Sequence, residues 1–194
     1  PGPPPCEARI IVLLRSGLVQ ESETMKSHSL IAAAAAFLIA APALAAPAPK
    51  VHIATLQELP VPLPYPYDET RNADADVAAA KATAKASGKL LLIDLGGNWC
   101  GDCRVLAGVM DLPEIKTFIA RHFVEVSVDV GRFDRNLQIP AHYGITKRLE
   151  GVPSLLIVDP KTDKLLNGGR VSALADARSM TPQALADWIA QWTK

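Results

Sequence analysis

Residues 89–103 read KLLLIDLGGNWCGDC and carry most of the structural information in this 194-residue chain. The run from Lys89 to Leu95 is short and apolar, which is typical of a buried strand, and the Gly96-Gly97 pair interrupts it. Apolar residues then recur at helical spacing, at Val105, Leu106, Val109 and Met110. The cysteines of this stretch are therefore predicted to lie where a strand is followed by a helix.

Cys100 and Cys103 can close a disulfide within one helical turn. The first N–H groups of a helix lack intrahelical acceptors, and the helix dipole places partial positive charge there, so a thiolate is stabilised at this end. The ordinary cysteine pKa of roughly 8.5 falls at helix N-termini and in CxxC motifs. We expect Cys100, nearest the helix start, to attack a substrate and Cys103, less exposed, to resolve the mixed disulfide.

Two other uses of a CxxC pair are a structural staple and half of a zinc site. A staple is disfavoured because so short a loop removes little entropy from the unfolded chain. A zinc site needs two further ligands, and His52, His122 and His142 have no mutual spacing typical of one. The sequence predicts neither a metal nor an organic cofactor, only a redox-active Cys100–Cys103 disulfide.

The strand, the Trp-Cys-Gly-x-Cys motif, the helix and the later Gly151-Val152-Pro153-Ser154 resemble the thioredoxin family. The resemblance runs from about Asp74 to the C-terminus and implies an α/β thioredoxin fold, a central mixed sheet flanked by helices, here with an N-terminal extension. It implies that Asp94 is a buried acid assisting proton transfer at the resolving cysteine, and that Pro153 is a cis-proline bordering the active site. The residues implied to contact substrate are Trp99, Gly101, Asp102, Val152 and Pro153.

Some positions depart from the best-known members of the family. Asp102 stands where many of them have proline, and its carboxylate disfavours a nearby thiolate, which favours a reducing function. Glu125 falls where thioredoxins often carry a lysine facing the buried acid. Arg104 can steady a thiolate or pair with Asp102, although a solvent-facing charge is favoured. The segment 111–115 resembles thioredoxin-like domains of bacterial envelope proteins, including the C-terminal domain of the transmembrane disulfide-reducing electron carrier.

Residues 25–45 have the charged start, short apolar core and small-residue exit of a secretory signal peptide, with cleavage expected after Ala45. A membrane anchor is disfavoured because the apolar run from Leu30 to Ala41 is shorter than the roughly 20 residues of a spanning helix. Residues 1–24, which include Cys6, are expected to be an overextended start or translated leader, with a buried N-terminal strand as the alternative. The sequence therefore predicts a periplasmic or secreted protein.

Residues 46–72 separate this signal from the predicted domain at 73–194 and are rich in proline, which suits an extended linker or a partner-binding arm. An ordered N-terminal strand laid on the domain is an equally weighted alternative. Its inward-pointing side chains would be Val51, Ile53 and Leu56. Tyr65 and Tyr67 are expected to dock on the surface in either case.

The remaining pattern predicts alternating helices and strands. Strands are expected at 89–95, 123–129, 154–158 and around 164–166. The first helix is expected to have Asp74 or Asp76 as its cap and to end at Ser87-Gly88. The cysteine helix is expected to break near Pro113, and Thr181-Pro182 to open the last helix.

These features together predict an exported thiol:disulfide oxidoreductase that acts on protein disulfides and receives electrons from an upstream redox partner protein. The 20 basic and 20 acidic residues balance, so the chain has no net positive charge that would favour binding to nucleic acid. No stable membrane span is expected after signal cleavage. The alternative is a thioredoxin-like binding or scaffold module with little redox turnover, whose Pro-rich arm recruits a partner.

Overall fold

The computed structural model describes residues 45–193, and structural statements below refer to this part of the chain. A four-stranded mixed sheet has the order β2-β1-β3-β4. Its strands are β1 (Leu90–Gly96), β2 (Phe123–Asp129), β3 (Ser154–Asp159) and β4 (Lys164–Leu165). β1 pairs parallel with β2 and antiparallel with β3, and β3 pairs antiparallel with β4. The predicted mixed sheet is confirmed.

Helices flank this sheet as predicted. They are α1 (Ala73–Ser87), α2 (Gly101–Met110), α3 (Pro113–His122), α4 (Gln138–His142) and α5 (Pro182–Ala190), with short 3-10 turns at Leu56–Glu58 and Ala177–Ser179. Pro113 opens α3, which accounts for the predicted break after the cysteine helix. The predicted cap of α1 is wrong: Asn72, not Asp74 or Asp76, accepts the Ala75 N–H at 3.0 Å.

The central strand β1 is buried along its whole length, which explains its nearly continuous apolar sequence. Successive side chains alternate between the two faces of the sheet. Leu92 packs in one hydrophobic cluster with α2, α3 and α5, whereas Leu91 and Ile93 pack in another with α1 and α4. By this alternation Asp94 lies on the Leu92 face, beneath α2.

The Pro-rich segment from 46 to 67, here called the arm, lies against the domain in extended and 3-10 conformation rather than as a strand. Val51 and Leu59 are buried in the cluster formed by α2, α3 and α5, and Ile53 packs against its edge. Tyr65 lies on the surface as expected, with its ring against the Arg104 guanidinium. Tyr67 contradicts the prediction of surface docking because only 1% of its surface is accessible.

The predicted signal peptide and the residues before it lie outside the described part of the chain, apart from Ala45. Between residues 45 and 193, no helix has both the length and the apolar character needed to cross a membrane.

Candidate active site

Cys100 is the residue that caps the N-terminus of α2. It forms a disulfide with Cys103, with the two Cα atoms 5.3 Å apart, and its sulfur accepts the Cys103 N–H at 3.1 Å. Cys100 keeps 6% of its surface accessible and Cys103 none. The strand-to-helix position predicted from the motif is confirmed, and Cys100 is the one cysteine of the pair that retains any accessible surface.

The loop before β3 lies directly beside this disulfide. The Val152–Pro153 bond is cis, as the resemblance implied, and the Val152 carbonyl oxygen is 3.4 Å from Sγ of Cys100. The Ser154 hydroxyl donates to the Gly151 carbonyl at 2.7 Å and so ties the loop together. A segment 52 residues away in sequence thus forms one side of the cysteine site.

Trp99 forms an exposed wall on another side of the site. It is 43% accessible, and its indole N–H donates to the Gly131 carbonyl at 2.8 Å, which holds the ring in place. The Arg132 guanidinium lies 4.4 Å from the ring centroid, and Phe133 meets the ring edge-on at 6.3 Å. A protein segment approaching Cys100 would therefore meet an aromatic surface with a cation on it.

Asp94 is the buried acid of the site, with 1% of its surface accessible. Its Oδ2 accepts a hydrogen bond from the Tyr67 hydroxyl at 2.8 Å. Burial raises the pKa of Asp94 to about 7; the Tyr67 hydrogen bond opposes this rise, and the charge of Glu125 adds to it. Glu125 is paired in register with Leu92 and so lies on the same face of the sheet.

Asp102 does not stand as an isolated charge between the sulfurs. Its carboxylate accepts the Arg178 backbone N–H at 3.0 Å and pairs with the Arg178 guanidinium at 2.9 Å. The guanidinium also lies over Gly101, where an added Cβ would be 3.4 Å from it. The repulsion inferred from Asp102 alone is therefore offset by a neighbouring positive charge.

Arg104 neither pairs with Asp102 nor faces solvent freely, so these two of its three interpretations are wrong. Its guanidinium donates to the carbonyl of Leu63 at 2.9 Å and to that of Pro64 at 3.2 Å. It also lies 3.8 Å from the centroid of the Tyr65 ring. Arg104 thus fastens the arm to α2 one residue beyond the resolving cysteine.

The structure brings together the sequence-predicted residues on β1, α2 and the loop before β3, and it adds three that were missed. These are Tyr67, Asn98 and Arg178, which contact Asp94, the Tyr67 backbone and Asp102. No periodicity or motif links them to the cysteines. The proline density of the arm was the only available signal, and it indicated an extended segment without indicating what that segment covers.

The three histidines between residues 45 and 193 lie away from this site. His52 contacts Glu114, His122 is the last residue of α3, and His142 bonds Asp163 at 2.9 Å. Within the described residues, no three His, Cys, Asp or Glu side chains are grouped so that they could hold a metal ion.

Comparisons with known proteins agree with this architecture. The profile of a family described as thioredoxin-like matches residues 72–160. A disulphide isomerase from Xylella fastidiosa Temecula1 is 36% identical with a TM-score of 0.62, and the match covers 66% of this chain and 97% of that one.

Two more distant structures show lower similarity. A Pseudomonas aeruginosa protein of unknown function is 17% identical over 63% of this chain and 86% of that one, with a TM-score of 0.35. A DsbH oxidoreductase is 20% identical over 57% of this chain and 94% of that one, with a TM-score of 0.33. The chain has no significant match among curated protein sequences.

Proposed function

Because this chain belongs to the thioredoxin family, we propose that it is a thiol:disulfide oxidoreductase acting on protein disulfides. One observation carries the proposal: the Cys100–Cys103 disulfide lies at the N-terminus of α2, and Cys100 retains some accessible surface whereas Cys103 retains none. A structural staple does not need this asymmetry. A reactive pair does, because substrate must reach the first sulfur and not the second.

The proposed reaction starts from the reduced pair. The Cys100 thiolate attacks one sulfur of a substrate disulfide, forming a mixed disulfide and releasing one substrate thiol. Cys103 then loses its proton and attacks the Cys100 sulfur, which reforms the Cys100–Cys103 disulfide and releases the second substrate thiol. Two electrons pass from the dithiol to the substrate, and no cofactor is proposed beyond the two cysteines.

Neighbouring groups support distinct parts of this sequence. The Cys103 N–H at the helix start donates to the Cys100 sulfur and so stabilises negative charge on it. Asp94, with a pKa of about 7, can hold or release a proton at neutral pH and is proposed to accept the Cys103 proton. Trp99, Gly101, Asp102, Val152 and Pro153 are proposed to frame the substrate segment.

We propose that the protein reduces its substrates and is itself recharged by a partner protein dithiol. Asp94 is buried beneath α2, and its negative charge, when it is ionised, disfavours a thiolate on the cysteine pair above it. A less stable reduced form corresponds to a lower potential. Equilibration with glutathione buffers should give a value nearer the roughly −270 mV of thioredoxin than the roughly −120 mV of a strong oxidant.

The proposed location is the periplasm or the extracellular space, on the strength of the signal pattern in residues 25–45. Expression of the chain from its Met25 with a C-terminal tag, followed by N-terminal sequencing of the exported fraction, should give a chain that begins at Ala46. Retention of an uncleaved chain in the cytoplasm would remove this part of the proposal.

The two cysteine variants test the exchange itself. Cys100→Ser should abolish turnover of a disulfide-bonded protein substrate, because no nucleophile remains at the reachable position. Cys103→Ser should instead accumulate a covalent complex that a reducing agent dissolves, because the mixed disulfide forms and cannot be resolved. Non-reducing electrophoresis reports both, and full turnover by Cys100→Ser would refute the proposed function.

A further inference from the structure

The arm ends inside the active site rather than beside it. The Asn98 side chain accepts the Tyr67 N–H at 3.2 Å and donates to the Tyr67 carbonyl at 2.6 Å. Asn98 lies in the loop between β1 and α2, directly before Trp99. These two hydrogen bonds hold the Tyr67 backbone against the loop before α2. Arg104 holds the preceding part of the arm against α2 through the carbonyls of Leu63 and Pro64.

The Tyr67 side chain fills the space between β1 and the resolving cysteine. A Cβ added to Gly96 would collide with the phenol oxygen of Tyr67 and would come within 2.9 Å of Sγ of Cys103. The phenol and the sulfur therefore border the same small space, which only a glycine at position 96 leaves open. The phenol donates its one proton to Oδ2 of Asp94 at 2.8 Å.

The two oxygens of Asp94 have different surroundings. Oδ2 accepts the Tyr67 proton, whereas the fully buried Oδ1 has no hydrogen-bond partner among the described residues. Burying a carboxyl oxygen without a hydrogen-bond partner costs free energy. Such atoms are therefore rare in folded proteins, and a catalytic role is one reason for them. Tyr67 thereby leaves Oδ1 as the oxygen that is open to a proton from its surroundings.

We propose that Tyr67 is a positioning residue for proton transfer at the active site: it orients the Asp94 carboxyl and directs Oδ1 to take the proton of the resolving thiol. This inference rests on the proposed function and deepens it. It makes the arm a part of the redox centre rather than a spacer or a docking segment.

In the mixed disulfide the Cys103 thiol gives its proton to Oδ1 of the Asp94 carboxylate, and the resulting thiolate attacks the Cys100 sulfur. The Cys100–substrate bond breaks, the Cys100–Cys103 bond forms, and the electron pair leaves on the substrate sulfur. Tyr67 keeps its own proton throughout, because burial and the nearby Asp94 charge raise its pKa well above the usual range.

The charged groups that act on Tyr67 and Asp94, apart from each other, lie on β2. β2 contributes Glu125 and Asp129, both of which oppose ionisation of Tyr67, and Asp129 is itself paired with Arg135 at 3.3 Å. Glu125 also raises the pKa of Asp94. Among the described residues, Tyr67 is the one group that favours the Asp94 carboxylate by hydrogen bonding, so removal of its hydroxyl should raise the pKa of Asp94.

The test uses Tyr67→Phe, with Tyr65→Phe as the matched control on the arm. Reduced protein in a Cys6→Ser background is mixed with the chromogenic disulfide 5,5′-dithiobis(2-nitrobenzoate), whose first thiol release reports Cys100 attack and whose second reports resolution by Cys103. The second phase of Tyr67→Phe should have its pH midpoint raised by about one unit, and its rate near pH 7 should fall about fivefold. The first phase should keep its rate, and Tyr65→Phe should match the parent.

A purely structural role would lower the second phase equally at every pH and leave its midpoint in place. The double variant Asp94→Asn/Tyr67→Phe should be no slower than Asp94→Asn alone, because Tyr67 acts through Asp94. Replacement of Tyr67 by 3-fluorotyrosine retains the ring and the hydrogen bond, so it tests the same point if Tyr67→Phe does not fold. Its more acidic phenol should lower the midpoint.

The two proposals fail in different ways. If the parent protein shows no second release of dye, the proposed function is wrong. If the parent resolves normally while Tyr67→Phe and the fluorinated protein keep the parent midpoint, the role of Tyr67 is wrong and the proposed function stands.

Discussion

Asp94 is a carboxyl group in the middle of a strand that is otherwise apolar and fully buried. Burial raises its pKa from the ordinary 3.8 to about 7, so the folded protein holds a proton that the unfolded chain releases between about pH 4 and pH 7. Stability therefore falls as pH rises through this window, because the unfolded state gains by ionising. A shift of this size corresponds to at most about 4 kcal/mol.

Asp94→Asn should remove this pH dependence. Its free energy of unfolding, measured by urea denaturation of the oxidised protein, should rise relative to that of the parent between pH 4 and pH 8, by up to about 4 kcal/mol. Asp163→Asn is the control, because Lys81 and His142 lower the pKa of that carboxyl and its removal cannot produce the same trend. Parallel stability curves for parent and Asp94→Asn would contradict the assignment of the raised pKa.

At the N-terminus of α2, Cys100 is both the helix cap and one partner of the disulfide. The spacing of the motif places Cys100 at the cap and Cys103 at the third helical residue, the position whose N–H an N-cap side chain normally receives. The turn at Ala177–Ser179 packs against this end and brings Arg178 to Asp102. The charged groups near Cys100 therefore come from two elements that are far apart in sequence, α2 and the turn at Ala177–Ser179.

Substitutions in this pair should change Cys100 reactivity in opposite directions. Asp102→Asn leaves Arg178 unopposed, so the pH midpoint of Cys100 alkylation by iodoacetamide should fall by about half a unit; Arg178→Gln leaves Asp102 unopposed, so it should rise by a similar amount. The double variant should lie near the parent, and high salt should shrink both shifts. Two single variants that move the midpoint in the same direction would mean that charge is not the cause.

At the scale of the whole molecule, the arm behaves as part of the folded domain. Val51 and Leu59 are buried among α2, α3 and α5, and Leu59 approaches Gly108 so closely that an added Cβ would be 3.5 Å from its side chain. Hydrogen bonds from Arg104 and Asn98 secure the far end. The arm therefore contributes hydrophobic surface to the core as well as Tyr67 to the site.

Leu59→Ala should lower the free energy of unfolding by about 2–4 kcal/mol, because it leaves a cavity under a buried leucine. Val61→Ala is the matched control from the same arm, with 84% of the valine exposed, and it should change stability by less than about 0.5 kcal/mol. Both are measured by urea denaturation monitored by tryptophan fluorescence. Equal, small effects of the two substitutions would mean that the arm is not integrated into the core.

The local pattern of the chain was sufficient for the strands, the break at Pro113, the helix start at the cysteines and, through the family resemblance, the cis bond before Pro153. These features depend on residues within a few positions of one another: apolar runs, turn-forming glycines and helix-starting prolines act over one or two turns of chain. The motif Trp99-Cys100-Gly101-Asp102-Cys103 carries its chemistry in the same short span.

The tertiary structure alone determines which side chains contact the residues of the cysteine site. Tyr67 meets Asp94 across 27 residues, Arg104 meets Leu63 across 41, and Arg178 meets Asp102 across 76. No periodicity connects such positions, because side-chain pairing at this range depends on how the arm and the loop before α5 pack over α2. Long-range packing therefore determines which charges and donors surround the cysteines, while short-range pattern determines where the cysteines stand.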